Sequence, residues 1–268
     1  MLTRRTLVGT GVAVLVSPVE VNAARRALVI ADARRIPWRG RDGVAEKQLF
    51  RDEHGAETRV VKMSRGTTWE LPTESDLFVV RGRVESDSQL LGRSFFARTA
   101  GNLSAVDDST LLVLGGGGGG PVVRDTWDMP WVFSRGWEPV APTRAELAAQ
   151  PGQPLAPSAP RSLVKALSAA VRLCAVLPTT AGTEGFASRS DVEICVLQGS
   201  GLFGAHALAA GGYGRFRAGD ALGPWASTRG CLALLRLVGS AELIAAAPPR
   251  RTEDLTVAPS PWASEVEG

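Results

Sequence analysis

Apolar residues run along this chain in short stretches rich in Val, Leu and Phe, each closed by Gly, Pro, Asp or Ser. That pattern is the signature of many short strands joined by turns. Arg51-Asp52-Glu53-His54-Gly55-Ala56 reads as a hairpin turn, with Gly55 free to take a positive φ. Helix signals are few. Thr143-Arg144-Ala145-Glu146 forms a capping box before Leu147 to Gln150 and Pro151, which predicts one short surface helix. Leu163 to Leu173 is read as two strands, because its counterpart in the first half, Ala45 to Val61, carries a turn signal in its middle. The fold class expected is all-β.

The same pattern occurs twice. Four residues separate Asp32 from Pro37-Trp38, and four separate Asp125 from Pro130-Trp131. Lys47-Gln48-Leu49 then matches Lys165-Ala166-Leu167, and Arg59-Val60-Val61 matches Arg172-Leu173-Cys174, with Gly66 and Gly182 beyond them. Asp76 to Gly82 matches Glu193 to Gly199, an acid leading a short apolar run into a glycine. A duplicated domain follows from this agreement of order and spacing. Gly115 to Gly120 cannot hold regular structure cheaply and reads as the linker between the copies. Pro151 to Pro160 reads as an exposed loop, and 248–268 as a mobile tail.

At 268 residues and 44% hydrophobic, the chain is long enough for one large domain or two smaller ones, and the repeat selects two. Its 30 basic and 27 acidic residues are scattered, which leaves no nucleic-acid footprint. Arg4-Arg5, an apolar run to Val16, Pro18 and the small-residue site before Ala24 resemble a twin-arginine export signal. That run is shorter than the ~20 residues needed to span a bilayer. The expected location is periplasmic or secreted, with no integral membrane segment after removal of residues 1–23, or cytoplasmic if that stretch is not a signal. Cys174, Cys195 and Cys231 lie in apolar runs without a Cys-x-x-Cys spacing and are read as buried core thiols, although two of them could pair in an oxidising compartment.

Across nearly the whole mature chain, and twice, the frame of Pro-Trp, a lysine-leucine strand, two strands each ending in glycine and a final apolar strand resembles the cupin superfamily. Within that superfamily it is most similar to the cupin domain that accompanies zinc-binding anti-sigma factors. The resemblance implies two tandem jelly-roll β-barrels, with 24–120 as barrel one and 121–247 as barrel two. It also shows where the family's metal ligands have been replaced. Counting from Gly66 and Gly82 puts Pro72, Glu74 and Ser75 at the ligand positions of the first motif, and counting from Gly182 and Gly199 puts Ser188, Ser190 and Val192 there. Arg98 and Arg217 fall inside the second motif, whose last ligand position is Leu103 in one barrel and Leu222 in the other. None of these supplies an imidazole. The chain's two histidines, His54 and His206, both fall at hairpins and read as surface residues. No cofactor and no metal are expected.

The candidate ligand-binding residues are Trp69, Asp76, Ser188, Ser190, Glu193, Leu222 and Trp225. Trp69, Pro72, Leu77, Val79 and Leu103 should line barrel one. Ser188, Ser190, Val192, Ile194, Leu222 and Trp225 should line barrel two, with core packing as the alternative role for most of them. Asp76 and Glu193 stand one place off the family's metal glutamate. Strand alternation points them away from the barrel interior, whereas a one-residue bulge would turn them inward as candidate proton acceptors. The Pro-Trp pairs, at Trp38 and Trp131, are candidates either to anchor a contact between the barrels or to cap their own.

The function expected is an exported, metal-free, non-catalytic bicupin that binds a small molecule or an envelope protein and is able to form homo-oligomers. Two enzyme readings stand beside it. One is a cofactor-free isomerase or lyase using a barrel carboxylate. The other is an enzyme with an atypical metal site drawn from Glu74, Asp76, Glu184, Asp191 and Glu193. There is no phosphate-binding loop and no nucleophile elbow.

Overall fold

The computed structural model describes residues 29–33, 35–51, 57–87, 89–115, 144–148, 164–176, 186–223, 225–238 and 243–245. The predicted turn at His54, the glycine linker beyond Gly115, Trp131, Gly182, Glu184, the 151–160 loop and the 248–268 tail lie outside the described residues. Strands dominate, and among the described residues there is one helix, α1 (Arg144–Ala148), where the capping box predicted it. No helix among the described residues is long and apolar enough to cross a membrane.

The first half folds into an eight-stranded antiparallel sheet in the order β2-β3-β4-β9-β5-β8-β6-β7. Its strands are β2 (Arg39–Arg41), β3 (Val44–Arg51), β4 (Glu57–Met63), β5 (Thr68–Arg81), β6 (Val84–Ser86), β7 (Gln89–Leu91), β8 (Phe96–Ala105) and β9 (Ser109–Gly115). Strand β5 is long because it serves two neighbours. Its register with β8 shifts between Leu71 and Ser75, and its later residues pair with both β8 and β9.

The second half repeats this plan with β10 (Val164–Ala166), β11 (Val171–Val176), β12 (Phe186–Ser188), β13 (Asp191–Phe203), β14 (His206–Ala209), β15 (Gly212–Phe216), β16 (Trp225–Ala226), β17 (Cys231–Val238) and β18 (Leu243–Ala245). The stretch read as two strands is β10 and β11, joined by a tight turn. In both copies the acid-led apolar run reaches a glycine in the left-handed region, Gly82 at φ +79° just past β5 and Gly199 at φ +70° within β13. A Cβ at Gly199 would collide with the carbonyl of Gly230, and one at Gly82 would sit 2.5 Å from that of Asp108. The matched glycines therefore mark the same close backbone approach in each copy.

The side-chain period of two separates three cores. In barrel one, Val61, Met63, Leu77, Val79, Leu103, Leu111 and Val113 point inward. In barrel two, Cys174, Val192, Ile194, Val196, Ala233 and Leu235 do so. The opposite faces of the same strands meet one another: Leu49, Val60, Phe78, Leu112 and Leu114 of the first half form one cluster with Val171, Leu173, Cys195, Leu197, Leu232 and Leu234 of the second. Strands buried on both faces read as continuous apolar runs, as 231–235 does. Each fully buried Val or Leu on the shared face contributes about 1.5–3 kcal/mol. All three cysteines are buried and free.

One strand departs from the partition at 24–120 and 121–247. Strand β1 (Val29–Asp32) pairs with β15 of barrel two, Val29 opposite Arg215 and Asp32 opposite Gly212. It covers the edge of β15, whose backbone groups would otherwise lack a partner on that side. The chain then returns to barrel one through buried Ala33, whose carbonyl accepts a hydrogen bond from Lys47 Nζ at 2.8 Å. Trp38 does not join the contact between the barrels. It is 38% exposed, with the ammonium groups of Lys47 and Lys62 at 4.5 and 4.8 Å from its ring centroid, and Ile36 packs against the shared cluster instead.

Candidate functional site

Alternation along β4 turns Glu57, Arg59, Val61 and Met63 toward the interior of barrel one. Arg59 is therefore an inward arginine on an otherwise apolar strand. Its Nη1 lies 3.1 Å from Glu46 Oε2 and its Nη2 3.1 Å from Glu57 Oε1. Its guanidinium carbon stands 5.0 Å from the centre of the Trp69 ring, within cation–π range. Trp69 itself is half-buried against the interior cluster. Deeper in the same barrel are three buried hydroxyls. Ser75 donates to the carbonyl of Thr73, and Ser86 and Thr99 bond each other at 2.5 Å. One end of barrel one thus carries a fixed cation between two carboxylates, an indole face and a set of hydroxyls.

Among the described residues, barrel two shows no such mouth. Trp225 is fully buried, with the rings of Phe203 and Phe186 at 4.9 and 5.7 Å, and its Nε1 donates to the carbonyl of Leu222 at 2.7 Å. Leu222 is 1% exposed in the same cluster. Ser188 is buried and caps a local turn, its Oγ accepting from the Ser190 amide at 3.1 Å and lying 3.3 Å from the Ser190 hydroxyl. Arg172, at the position matching Arg59, points inward and spends its Nη1 on the carbonyls of Ser168 and Ala169 at 2.7 and 3.1 Å. Burial pulls its pKa down, with a smaller opposing contribution from Cys174.

Asp76 and Glu193 face outward, as alternation dictates, yet neither is a surface residue, because the face they occupy lies between the barrels. Asp76 is fully buried and accepts from Arg98 Nε at 2.8 Å. Glu193 is 2% exposed and accepts from Arg215 at 3.0 Å, Arg236 at 3.3 Å and Thr58 Oγ1 at 2.9 Å. Thr58 belongs to barrel one, so this carboxylate joins the two halves. Arg236 also donates to the carbonyl of Gly115 in barrel one at 2.7 Å, and the Arg215 guanidinium lies 4.0 Å from the ring centroid of Phe50. Arg215 uses its remaining reach on Asp191 at 3.0 Å. Burial, reinforced by Glu193, lifts the Tyr213 phenol far above its ordinary range. Both carboxylates are sealed against solvent and face no barrel interior, and Glu193 ties one barrel to the other.

Of the residues singled out in the sequence, Trp69 stands at the polar mouth of barrel one, whereas Ser188, Ser190, Leu222 and Trp225 gather in barrel two, and Asp76 and Glu193 between the barrels. Arg59, Glu46, Glu57, Ser86 and Thr99 were not singled out. The available signal was phase: Arg59 is two residues before Val61 and four before Met63, so it shares their inward face.

A metal of the kind the fold commonly carries does not fit this donor set. The positions that would face it include Ser75, whose hydroxyl is turned to Thr73, and Leu103, which is wholly buried in the apolar core. Ser190 and Val192 stand there in barrel two, beside a serine already engaged in its turn. Among the described residues no three His, Cys, Asp or Glu side chains come together to ligate an ion. His206 is half-buried, its ring 5.8 Å from that of Phe216.

A scan against protein-family models finds no match, and a search of curated proteins finds none. Solved structures do resemble the chain. A Nostoc punctiforme protein described as a candidate dioxygenase superposes with a TM-score of 0.54 at 14% identity, over 84% of this chain and 88% of its own. A cupin 2 conserved barrel domain protein from Leptotrichia buccalis gives 0.47 at 13% identity, covering 78% of this chain and 96% of its own. A variant of Bacillus subtilis oxalate decarboxylase gives 0.47 at 12%, covering 81% and 78%. At such identities the likeness is one of fold. The fold is an all-β pair of jelly-roll barrels.

Proposed function

We propose that this chain is an exported bicupin, each half akin to the cupin domain that accompanies zinc-binding anti-sigma factors, that binds a small polar molecule in the mouth of barrel one. In this reading it works without a metal and without catalysing a reaction, and barrel two is its folded support. The observation that carries the reading is the Arg59–Glu46–Glu57 cluster against half-buried Trp69, where the matched space of barrel two is filled by Trp225, Phe186 and Phe203. An indole face with charged and hydroxyl groups converging on it suits a ligand that offers both an apolar surface and hydrogen-bonding groups. The side chains at the positions where the resemblance puts metal ligands, such as Ser75 turned to Thr73 and Leu103 in the apolar core, support the non-metal reading. The burial of Asp76 and Glu193 between the barrels weighs against the carboxylate base considered for an isomerase or lyase.

The test begins with the mature protein purified without chelators, using elemental analysis and native mass spectrometry to find what it carries. A thermal-shift screen of polar metabolites follows, and each hit is titrated against Trp69→Ala and Arg59→Gln. Binding that both variants abolish supports the site. Hits indifferent to both variants would place the ligand elsewhere, and a stoichiometric transition metal would move the enzyme reading to the front. Export is tested by fractionating cells that express the chain and its Arg4→Lys/Arg5→Lys variant. Equal periplasmic recovery of the two would sink that part of the proposal.

A further inference from the structure

The outer face of barrel one carries a cleft of about 530 Å³. Its floor is a single cross-strand row. Gly40 is opposite Ala45, Ala45 opposite Lys62, Lys62 opposite Thr110, and Thr110 opposite Arg81. Residues directly opposite across a sheet share a face. All five therefore line one surface, drawn in turn from β2, β3, β4, β9 and β5. Gly40 and Ala45 leave one end of the row without bulk, and the other end sets a hydroxyl between two cations. With strands ~4.8 Å apart, the Lys62 and Arg81 backbones stand about 10 Å from each other with Thr110 midway.

This row is distinct from the barrel mouth, because Arg59 and Lys62 point to opposite faces of β4. It continues the face that packs on barrel two, since Val60 and Leu112, two residues along, belong to the shared cluster. Thr110 is only 4% exposed, yet its hydroxyl forms no hydrogen bond among the described residues. Arg81 is exposed and forms no ion pair among them. The two acids of the cleft are engaged elsewhere: Asp42 lies 3.6 Å from Arg41, and Asp108 accepts from the Arg65 amide at 2.9 Å.

A hydroxyl that makes no hydrogen bond among the described residues and lines the cleft, flanked in register by two positive side chains, matches an oxyanion that accepts from all three. We propose that this cleft binds a small molecule through a carboxylate or phosphate group seated over Thr110 between Lys62 and Arg81.

Calorimetric titration of the mature protein at fixed ionic strength, with inorganic phosphate in one arm and succinate in the other, tests the site. The expected result is saturable binding of at least one of them at one per chain. Arg81→Gln and Thr110→Val should each weaken it about ten-fold or more, the worth of a charge-assisted hydrogen bond. Thr110→Ser should restore affinity, and Arg59→Gln in the barrel mouth should leave it unchanged. Preference for phosphate assigns phosphate esters, and preference for succinate assigns carboxylates. The exposed position of Arg81 keeps the test valid if Thr110→Val fails to fold. Absence of saturable binding in both arms overturns the proposal. So does an Arg81→Gln affinity equal to that of the parent, or an equal loss in Arg65→Gln, which would reveal a general charge effect.

Discussion

Arg59 and Arg172 occupy matched inward positions in the two barrels, but they meet different company. Arg59 is held by two carboxylates and an indole at a solvent-reached mouth, whereas Arg172 is sealed inside and pins the turn between β10 and β11 through main-chain carbonyls. The outward positions diverge in the opposite sense. Asp76 has one arginine and lies opposite Leu114, while Glu193 has two arginines and a threonine and lies opposite Arg236. Polar groups have thus been concentrated inside barrel one and, in barrel two, on the face that meets its neighbour. The two halves share a backbone frame, and the side chains at matched rungs set the inward polar cluster of barrel one apart from the ion-paired outer face of barrel two.

The largest expected effect breaks the outward half of that comparison. Glu193→Ala leaves buried Arg236 without its carboxylate and Arg215 with Asp191 alone, and removing one partner of a buried pair typically costs about 3–5 kcal/mol. Urea unfolding should show this loss to exceed that of Asp76→Ala, and Arg236→Leu, which copies the Leu114 arrangement, should cost less than either. A larger loss for Asp76→Ala would mean that the contact between the barrels is not held chiefly by the Glu193 network.

The inward half is tested by the two tryptophans. Trp225→Ala empties a filled core and should cost about 3–5 kcal/mol. Trp69→Ala removes a half-exposed ring and should cost distinctly less while affecting ligand binding. Equal losses would erase the distinction between a packed barrel and an open one.

The smallest effect concerns pH. Burial pulls the His206 pKa below its ordinary 6.5, with Asp220 acting the other way. The unfolded chain therefore binds this proton first, so stability is lost as pH falls through 6.5 toward the folded value and is fully present above it. His206→Gln should flatten that slope slightly in thermal melts recorded between pH 7 and 5. An unchanged slope would show that other groups carry it.

The frame of the molecule was legible because it rests on local rules. Gly82 and Gly199, the acid-led apolar runs and the capping box before α1 each act through neighbours in sequence, and each stands where the pattern put it. Alternation also gave the correct facing of Asp76 and Glu193. What it could not give was the second barrel lying against that face, which turns two outward acids into buried ones. The bond from Thr58 to Glu193 joins residues 135 positions apart, a distance at which no local pattern speaks. Counting from glycines matched Arg98 with Arg217, whereas the strand register matches it with Arg215, because the connections preceding β8 and β15 differ in length. The mouth of barrel one escaped notice for another reason: a lone arginine in an apolar strand reads as a surface residue until the barrel closes around it.

The pairing of β1 with β15 sets an order in time as well as in space. Val29 emerges from the ribosome long before Arg215, its partner. At a synthesis rate of about 5–20 residues per second, that is a wait on the order of 10–40 s. Throughout that interval barrel one is able to close, while the first strand dangles beside it with no edge to join. The edge of β15 is covered only when this early segment of the nascent polypeptide pairs with one made some 186 residues later.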